Sequence, residues 1–412
     1  MKKYVIVGCG SRGSGAYAMP LIRKYADCAQ LCGVYDINPK REEVARAKGV
    51  NVYPSFEAVL ADTTVDVVVC ATPNDVHKPL AIEAMKAGKH VFSEVLPAQT
   101  MKEAIELIEC VEETGMIYAY GENYCYMPGP YEMKELYRAG KIGEFEYAEG
   151  EYIHNCESIW PSITYGEKDH WRNKMYSTFY CTHSLGPIIH ITGLRPVSVI
   201  GIEGTRNERH LRVGSKAGLF GIEMVTFENG AIAKSIHGGL YKDSVWYTLY
   251  GSKGRLETVR YDTDTPLMVM RLFTNVDETE GAYDKTEKKD YVPVRDMDHV
   301  AKDFGHGQSD FYTMYHFVRK IQGCADADTI DVYEAMDMFL PGMFAYRSIL
   351  AGGVPVDVPN LRNKEEREKW RNDTHCTDKN VAGDQLLPCN SKGNPEIPPE
   401  VYENMRKKCT VL

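Results

Sequence analysis

Three glycines and one acid near the start of the chain have the types and spacing that hold a dinucleotide. Gly8, Gly10 and Gly13 directly follow an apolar run, and such glycines make a tight turn, let backbone approach a pyrophosphate and let a helix pack on the strand. Asp36 ends the next apolar run, where a carboxylate bonds ribose hydroxyls and repels a 2′-phosphate. The pattern therefore predicts a site that prefers NAD to NADP. Its predicted contacts are Gly8, Gly10, Ser11, Arg12, Gly13 and Asp36.

A second group of residues has the chemistry for proton transfer. His183 changes protonation near neutral pH, and Tyr180 lies three residues earlier, close to a glycine–proline break. We predict that His183 and Tyr180 are catalytic. The alternatives are that His183 is a core histidine bonded to backbone and that Tyr180 is a core aromatic.

Further polar residues follow consecutive predicted strands, where α/β sheets bind their ligands. Glu94 and Asn123 stand in such positions, and His77 comes after Thr72-Pro73-Asn74 at the start of a predicted helix. His77 could instead only cap that helix. The predicted cofactor contacts in this group are Thr72, Asn74, His77, Glu94, Val95 and Asn123.

Other polar clusters fit functional patterns less well. Asp169, His170 and His183 match no metal-ligand spacing, so we predict no metal site. For His237 and Tyr241 a structural role is favoured, although both could face the site.

Two different patterns of apolar residues indicate how these groups are positioned. From residue 3 to about residue 120, apolar strands alternate with helices, which predicts a parallel sheet covered on both faces. Beyond residue 123, short segments alternate apolar and polar residues, as strands of a half-exposed antiparallel sheet do. The clearest predicted elements are strands 65–71, 90–92, 116–119, 144–152, 197–203, 221–227, 231–235 and 246–250, and helices 79–87, 101–113, 310–322 and 332–351.

The predicted fold is an α/β chain of three parts. Residues 1–122 form an NAD-binding Rossmann domain, residues 123–360 form an α+β domain for substrate binding and oligomerisation, and residues 361–412 form a polar extension with a charge run. We expect this extension to pack on the surface or on a partner subunit. An open sheet face predicts a homo-oligomer, either a dimer or a tetramer.

Bulk properties exclude several classes of partner. The 412 residues carry a net charge of −10 with no block of lysine and arginine, which argues against nucleic acid and anionic membranes. The first strand begins by residue 4 and no apolar run is long enough to span a bilayer, so we expect a cytoplasmic protein. The 12 cysteines form no CxxC pairs, which disfavours zinc and disulfide frameworks.

Two stretches in the first half of the chain resemble a known family. Residues 70–79 read C-A-T-P-N-D-V-H-K-P and residues 84–94 read A-M-K-A-G-K-H-V-F-S-E. They resemble the Gfo/Idh/MocA family of sugar oxidoreductases, in which a Rossmann domain precedes an α/β domain with a large open sheet. Most members continue with Lys-Pro after the glutamate, and that lysine assists hydride transfer. Here Val95-Leu96-Pro97 follows Glu94.

The second half of the chain resembles one branch of that family more closely. Residues 170–172 read H-W-R and residues 180–187 read Y-C-T-H-S-L-G-P. These resemble the NAD-dependent glycoside hydrolases that remove terminal α-N-acetylgalactosamine, where the motifs are HWR and YPTHGLGP and where Glu-Val also replaces Glu-Lys. Cys181 stands in place of a proline and Leu96 is an extra residue. Further matches are Glu122-Asn123, Tyr152-Ile153-His154, His306-Gly307 with Asp310, and Asp331-Val332-Tyr333.

The resemblance implies a carbohydrate or glycoside substrate and a redox-neutral cycle. Oxidation of the sugar at C3 acidifies the C2 hydrogen, the group at C1 leaves by elimination, water adds, and C3 is reduced again while NAD stays bound. It also implies that Arg172 contacts the cofactor and that the substrate contacts are Tyr152, Tyr180, Thr182 and His183. Two alternatives remain open, namely a sugar or glycoside 3-dehydrogenase that releases NADH and a keto-sugar, and a non-catalytic NAD-binding sensor.

Overall fold

The computed structural model describes residues 1–260, 269–275 and 286–409. The strands are β1 Lys2–Val7, β2 Ala29–Tyr35, β3 Val67–Cys70, β4 His90–Ser93, β5 Tyr118–Tyr120, β6 Phe145–Ile153, β7 Pro196–Glu203, β8 Phe220–Phe227, β9 Ile232–Gly238, β10 Ser244–Gly251, β11 Gly254–Thr258, β12 Met270–Asn275, β13 Thr286–Tyr291 and β14 Val356–Asp357. The α-helices are α1 Met19–Arg23, α2 Pro39–Ala47, α3 Phe56–Ala61, α4 His77–Lys86, α5 Met101–Thr114, α6 Pro128–Arg138, α7 Trp160–Thr164, α8 Trp171–Lys174, α9 Thr182–Thr192, α10 Glu208–Leu211, α11 Asp298–Ala301, α12 Ser309–Ile321, α13 Val332–Leu350, α14 Lys364–Trp370, α15 Lys379–Ala382 and α16 Pro399–Lys408.

The first sheet is fully parallel, with the strand order β2-β1-β3-β4-β5. All four residues of β3 are 0% exposed, because helices cover both faces of a parallel sheet and leave no side for polar residues. This arrangement confirms the Rossmann-like sheet that the apolar runs predict. The predicted strand 65–71 corresponds to β3, and the predicted helix 101–113 corresponds to α5.

Local sequence explains where the helices of this domain begin and end. Thr100 caps α5 by accepting a hydrogen bond from the backbone of Glu103 at 3.1 Å, and Gly115 ends the helix in the left-handed conformation. The helix after β1 starts with a wider, π-type segment, Arg12–Ala18, which continues directly into α1. This helix begins inside the glycine turn and so carries the turn's last residues.

The second sheet has nine strands in the order β13-β12-β11-β10-β6-β9-β8-β7-β14. All neighbours are antiparallel except β6 and β9, which run parallel. Side chains alternate between its faces; on β8 every second residue, from Gly221 to Phe227, is buried. Helix α9 lies against the inner face so closely that a side chain at Gly150 would overlap the carbonyl of Ser184. The inner face therefore fixes the position of α9.

The polar extension packs on its own chain. Arg367 and Arg371 bind Glu112 and Glu109, which lie on α5 of the first domain. Helix α16 lies against α7 of the second part of the chain. The extension therefore joins both parts of the molecule, and whether a partner subunit also contacts it remains a prediction.

Two features relevant to function are not found in the described ranges. None of their helices combines the length and apolar character that crossing a bilayer requires. They also contain no group of three histidine, cysteine, aspartate or glutamate side chains arranged to hold a metal ion.

Candidate active site

A large cavity lies between the carboxyl ends of the parallel strands and the inner face of the nine-stranded sheet. Its volume is about 1330 Å³. The first domain contributes Gly10, Asp36 and Asn74 to the wall, and the second part of the chain contributes Tyr152 and His183. Most of the residues that the sequence analysis selected thus surround one space.

The glycine turn at one end of the cavity has the shape that a pyrophosphate requires. A side chain at Gly13 would overlap the carbonyl oxygen of Gly8, so helix and strand pack together only with glycine there. At Gly10 the nearest atoms to an added Cβ belong to the Arg41 guanidinium, 3.8 Å away. The backbone of Gly10 is therefore open toward the cavity, as close approach of a phosphate demands.

The acid after β2 is held firmly at the same end. Asp36 is 5% exposed and accepts hydrogen bonds from the backbone of Cys9 at 2.6 Å and of Asn38 at 2.8 Å. Two polar groups beyond β3, the Thr72 hydroxyl and the Asn74 amide nitrogen, are buried on the wall without a hydrogen-bond partner among the described residues. Since buried polar groups are normally paired, these donors fit a dinucleotide in the cavity.

Arg12 joins the glycine turn to the start of α12. Its guanidinium donates to Glu94 and to Asp310, both at 2.7 Å. Burial opposes ionisation of Glu94, but the charge of Arg12 and a hydrogen bond from Tyr17 hold the pKa of Glu94 below its usual value. Asn123 adds a bond to Asp310 at 2.9 Å. This network fixes the wall of the cavity below the turn.

A histidine on the cavity wall is paired with a buried carboxylate behind it. His183, on the first turn of α9, is 6% exposed, and its Nδ1 lies 2.6 Å from Oε1 of Glu122. Glu122 is 0% exposed and follows β5 in the first domain. The pair fixes the imidazole through Nδ1 and leaves Nε2 as the ring nitrogen for a ligand.

Aromatic rings surround this imidazole. The ring centroids of Tyr124, Tyr152 and Tyr180 lie 4.3, 4.7 and 5.1 Å from that of His183. Burial raises the pKa of Tyr180 to about 12, although the nearby Arg172 guanidinium partly opposes the shift. Tyr180 is therefore a neutral phenol near neutral pH.

The structure brings most of the predicted residues to the cavity wall, and three lie behind it. Gly13 packs helix against strand, the His77 ring lies against the carbonyl oxygens of Thr72 and Leu96, and Thr182 is buried against Tyr120. The predicted residues on the wall are Gly8, Gly10, Ser11, Arg12, Asp36, Thr72, Asn74, Glu94, Val95, Asn123, Tyr152, Arg172, Tyr180 and His183.

Several residues at this site have no role that the sequence patterns predict. Glu122 precedes a predicted contact at the end of a strand, so its position contained a usable signal. His237 lines the cavity and lies 3.5 Å from the fully buried Glu223, whereas Tyr241 is 82% exposed. Arg41 also lines the wall, and only its spacing from Asp36 could have indicated this.

The first part of the chain matches a known family. Residues 2–122 match the Gfo/Idh/MocA family, described as "Oxidoreductase family, NAD-binding Rossmann fold". The chain therefore carries a Gfo/Idh/MocA NAD-binding domain. Its cofactor is NAD, in agreement with the glycine turn and Asp36.

Curated relatives extend the similarity beyond this domain. A "Glycosyl hydrolase family 109 protein" of Streptomyces filamentosus is 23% identical over 400 residues, covering 87% of this chain and 77% of the relative. An "Alpha-N-acetylgalactosaminidase" of Bacteroides fragilis is 29% identical over 211 residues, covering 47% of this chain and 49% of the relative. This chain is therefore an enzyme, and its curated relatives include proteins named as glycosyl hydrolases.

Solved structures show the same fold. A levoglucosan dehydrogenase in complex with NADH and levoglucosan aligns with a TM-score of 0.70 at 18% identity, covering 87% of this chain and 99% of that chain. A UDP-N-acetylglucosamine 3-dehydrogenase from Acidithiobacillus ferrooxidans aligns with a TM-score of 0.63 at 19% identity, covering 84% and 96%. At these identities the likeness concerns the fold alone.

Proposed function

We propose that this enzyme is an NAD-dependent glycoside hydrolase that cleaves a terminal sugar through transient oxidation at C3. The observation that carries the proposal is the Glu122–His183 pair, whose imidazole lines the same cavity as the glycine turn that would bind NAD. The names of the curated relatives support a glycosidase.

The cofactor would be held mainly by residues of the first domain. Gly10 and Ser11 would approach the pyrophosphate, Asp36 would bind the ribose hydroxyls, and Thr72 and Asn74 would supply the unpaired polar groups beyond β3. When bound, NAD supplies the acceptor for the hydride from C3 and later the donor that returns it.

The chain's own residues would then move the protons. Nε2 of His183 takes the proton of the sugar hydroxyl, and Glu122 stabilises the imidazolium through Nδ1. At the neighbouring carbon, the phenolate form of Tyr180 would take the C2 proton and, as the phenol, return it after water has added at C1; the Arg172 guanidinium lies close enough to stabilise that phenolate. General acid–base help of this kind is worth about 10²–10⁴-fold.

A sugar or glycoside 3-dehydrogenase that releases NADH is the second candidate. The two solved structures named above are sugar dehydrogenases, which favours it. Against it, Val95 occupies the wall position next to Glu94, and no lysine lines the cavity within the described residues. General acid–base catalysis would therefore depend on His183 and Tyr180, as in the proposed hydrolase.

One assay separates the two candidates. The purified protein, without added NAD, is incubated with a panel of aryl glycosides that includes an α-N-acetylgalactosaminide, while released phenol and NADH absorbance are followed together. Many turnovers of phenol without accumulating NADH would support the hydrolase. NADH that accumulates only when NAD is supplied, with the glycosidic bond intact, would show a dehydrogenase.

The assignment of His183 has its own test. His183→Ala should abolish turnover while leaving NAD bound, because the side chain handles a proton and the first domain holds the cofactor. NAD content is measured spectroscopically beside the phenol assay. Activity that stays within about tenfold of the wild type would show that His183 is not the base.

A further inference from the structure

An arginine joins the two parts of the chain across the adenosine end of the cavity. Arg41, on α2, donates a hydrogen bond to the hydroxyl of Tyr165, and its guanidinium lies 5.5 Å from the centre of that ring. The same guanidinium lies 3.4 Å from the carboxylate of Asp36. Both Arg41 and Tyr165 line the cavity. We call these two residues the clasp.

The clasp stands where a dinucleotide would enter and leave. Arg41 is the nearest side chain to the open side of Gly10, and it is bonded to the acid that marks the ribose. A cation there attracts the diphosphate, and the Tyr165 ring lies beside that cation on the cavity wall. The clasp therefore covers the adenosine half of the predicted cofactor position.

The position of Tyr165 is set by the C-terminal extension. Tyr165 and Gly166 both have left-handed backbone, with φ of 55° and 64°. A side chain at Gly166 would overlap the backbone nitrogen of Arg406 on α16, and the Arg406 guanidinium donates to the carbonyl of Gly166 at 3.0 Å. Residues 165 and 166 thus rest directly on the last helix of the chain.

Helix α16 is itself fixed to the wall of the cavity. The hydroxyl of Tyr402 donates to the carbonyl of Gly214 at 3.2 Å, and its side chain is 2% exposed. Met405 forms a small apolar cluster with Trp160 and Val213, separate from the main core. The contacts therefore run without a gap from α16 through Tyr165 to Arg41.

We propose that the C-terminal extension is a strap that keeps NAD bound between turnovers by holding the clasp closed. The proposal deepens, and rests on, the redox-neutral cycle proposed above, in which the cofactor is regenerated in place and has no need to leave. An enzyme that releases NADH at each turnover would have to open this contact every time. Arg41 and Tyr165 are thus positioning residues for the cofactor.

The first test measures cofactor retention. Tyr165→Phe keeps the ring and removes the bond to Arg41, and Arg41→Met removes the charge. We expect each variant to release NAD at least about tenfold faster, because hydrogen bonds to charged groups are worth more than neutral ones. The readouts are NAD retained after gel filtration and the NADH dissociation rate followed by fluorescence. Variants that have lost NAD should no longer release phenol, and added NAD should restore that activity.

The second test changes the contact between residue 166 and the C-terminal extension. Gly166→Ala should displace α16 and also speed NAD release. Gly140→Ala is the matched control. Gly140 also has a positive φ, of 71°, but no atom lies within 4 Å of an added Cβ. Arg46→Met is the control on α2, because that side chain is exposed and pairs with Glu42 on its own helix. Both controls should retain NAD like the wild type.

The possible results test the clasp separately from the proposed hydrolase activity. Dissociation rates of Tyr165→Phe and Arg41→Met equal to the wild type would overturn the clasp, whether or not Gly166→Ala folds. A wild type that cleaves glycosides with retained NAD, together with unchanged variants, would refute the clasp alone. A wild type that forms NADH and leaves the glycosidic bond intact would refute the hydrolase, and the dissociation rates would still decide the clasp.

Discussion

At the scale of single residues, two neighbouring side chains of the site have different surroundings. His183 is bonded through Nδ1 to Glu122, which favours an imidazole that accepts a proton at Nε2. Tyr180 is surrounded by buried groups that raise its pKa to about 12, with Arg172 opposing the shift. His183 is therefore suited to accept a proton from the substrate, whereas Tyr180 is a neutral phenol in the resting enzyme.

Tyr180→Phe should lower kcat by about 10²-fold without removing any alkaline limb of the pH profile. Because the folded-state pKa of Tyr180 is raised to about 12, the phenol stays neutral at lower pH and contributes no titration there. The measurement is kcat/KM against pH from about 6 to 10 for both proteins. An alkaline limb present in the wild type and absent from the variant would contradict this assignment.

At the scale of elements, the parallel sheet could be predicted because its strands are continuous apolar runs. β3 is fully buried and α5 has a threonine cap and a terminal glycine, so the local sequence contains both elements. The parallel pairing of β6 with β9 could not be predicted, since it depends on the order of strands far apart in the chain.

The site shows the same division between local and distant information. The glycine turn and Asp36 are predictable from spacing, because one βαβ unit holds them together. The bond between Glu122 and His183 joins residues 61 positions apart, and the bond between Arg12 and Asp310 joins residues 298 positions apart. Only the packed molecule shows which carboxylate meets which base.

Two glycines of the same turn should respond differently to replacement by alanine. Gly13→Ala should prevent stable packing of β1 against its helix, because the new Cβ overlaps the Gly8 carbonyl. Gly10→Ala should fold, because the nearest atoms are 3.8 Å from its Cβ, yet bind NAD much more weakly. Thermal unfolding and NAD titration check both variants. Equal melting temperatures for the two would contradict this account of the turn.

The attachment of the extension to α5 predicts a pH-dependent stability. Arg367 is 1% exposed and donates to Glu112 at 2.8 Å, and this bond lowers the pKa of Glu112 from 4.5 to about 2. A lowered carboxyl pKa adds stability that is complete above pH 4.5 and is lost as the pH falls through about 2.

Arg367→Met should therefore lower the unfolding free energy at neutral pH by about 2 kcal/mol. The difference from the wild type should shrink as the pH falls below 4.5 toward 2. Urea unfolding at neutral and acid pH measures it. Arg371→Met, which removes a more exposed arginine bound to Glu109, is the control and should cost less. A loss of stability that does not change with pH would rule out the ion pair as its cause.

At the scale of the whole molecule, the outer face of the nine-stranded sheet predicts self-association. Ile202, Ile232 and Tyr250 lie on that face and are 51%, 41% and 38% exposed. Apolar residues that are exposed on one face of a sheet are typical of interfaces. We expect a dimer or tetramer by light scattering at micromolar concentration.

A charge placed on that face should weaken the assembly. Ile202→Lys is expected to shift the molecular mass toward the monomer, whereas Val294→Lys, at a residue that is 84% exposed and outside the sheet, should leave it unchanged. A wild-type protein that is monomeric at micromolar concentration would refute the predicted oligomer.

The pairing of Glu122 with His183 has a consequence for how the protein is made. Domains fold roughly in the order of their synthesis, so residues 2–122 can leave the ribosome and fold before His183 has been translated. Such a nascent chain has the glycine turn, Asp36 and Glu122, but it lacks the imidazole that would accept the substrate's proton. Under the proposed assignment, an unfinished chain can load NAD yet cannot oxidise a sugar, and chemistry begins only when synthesis has delivered the second half.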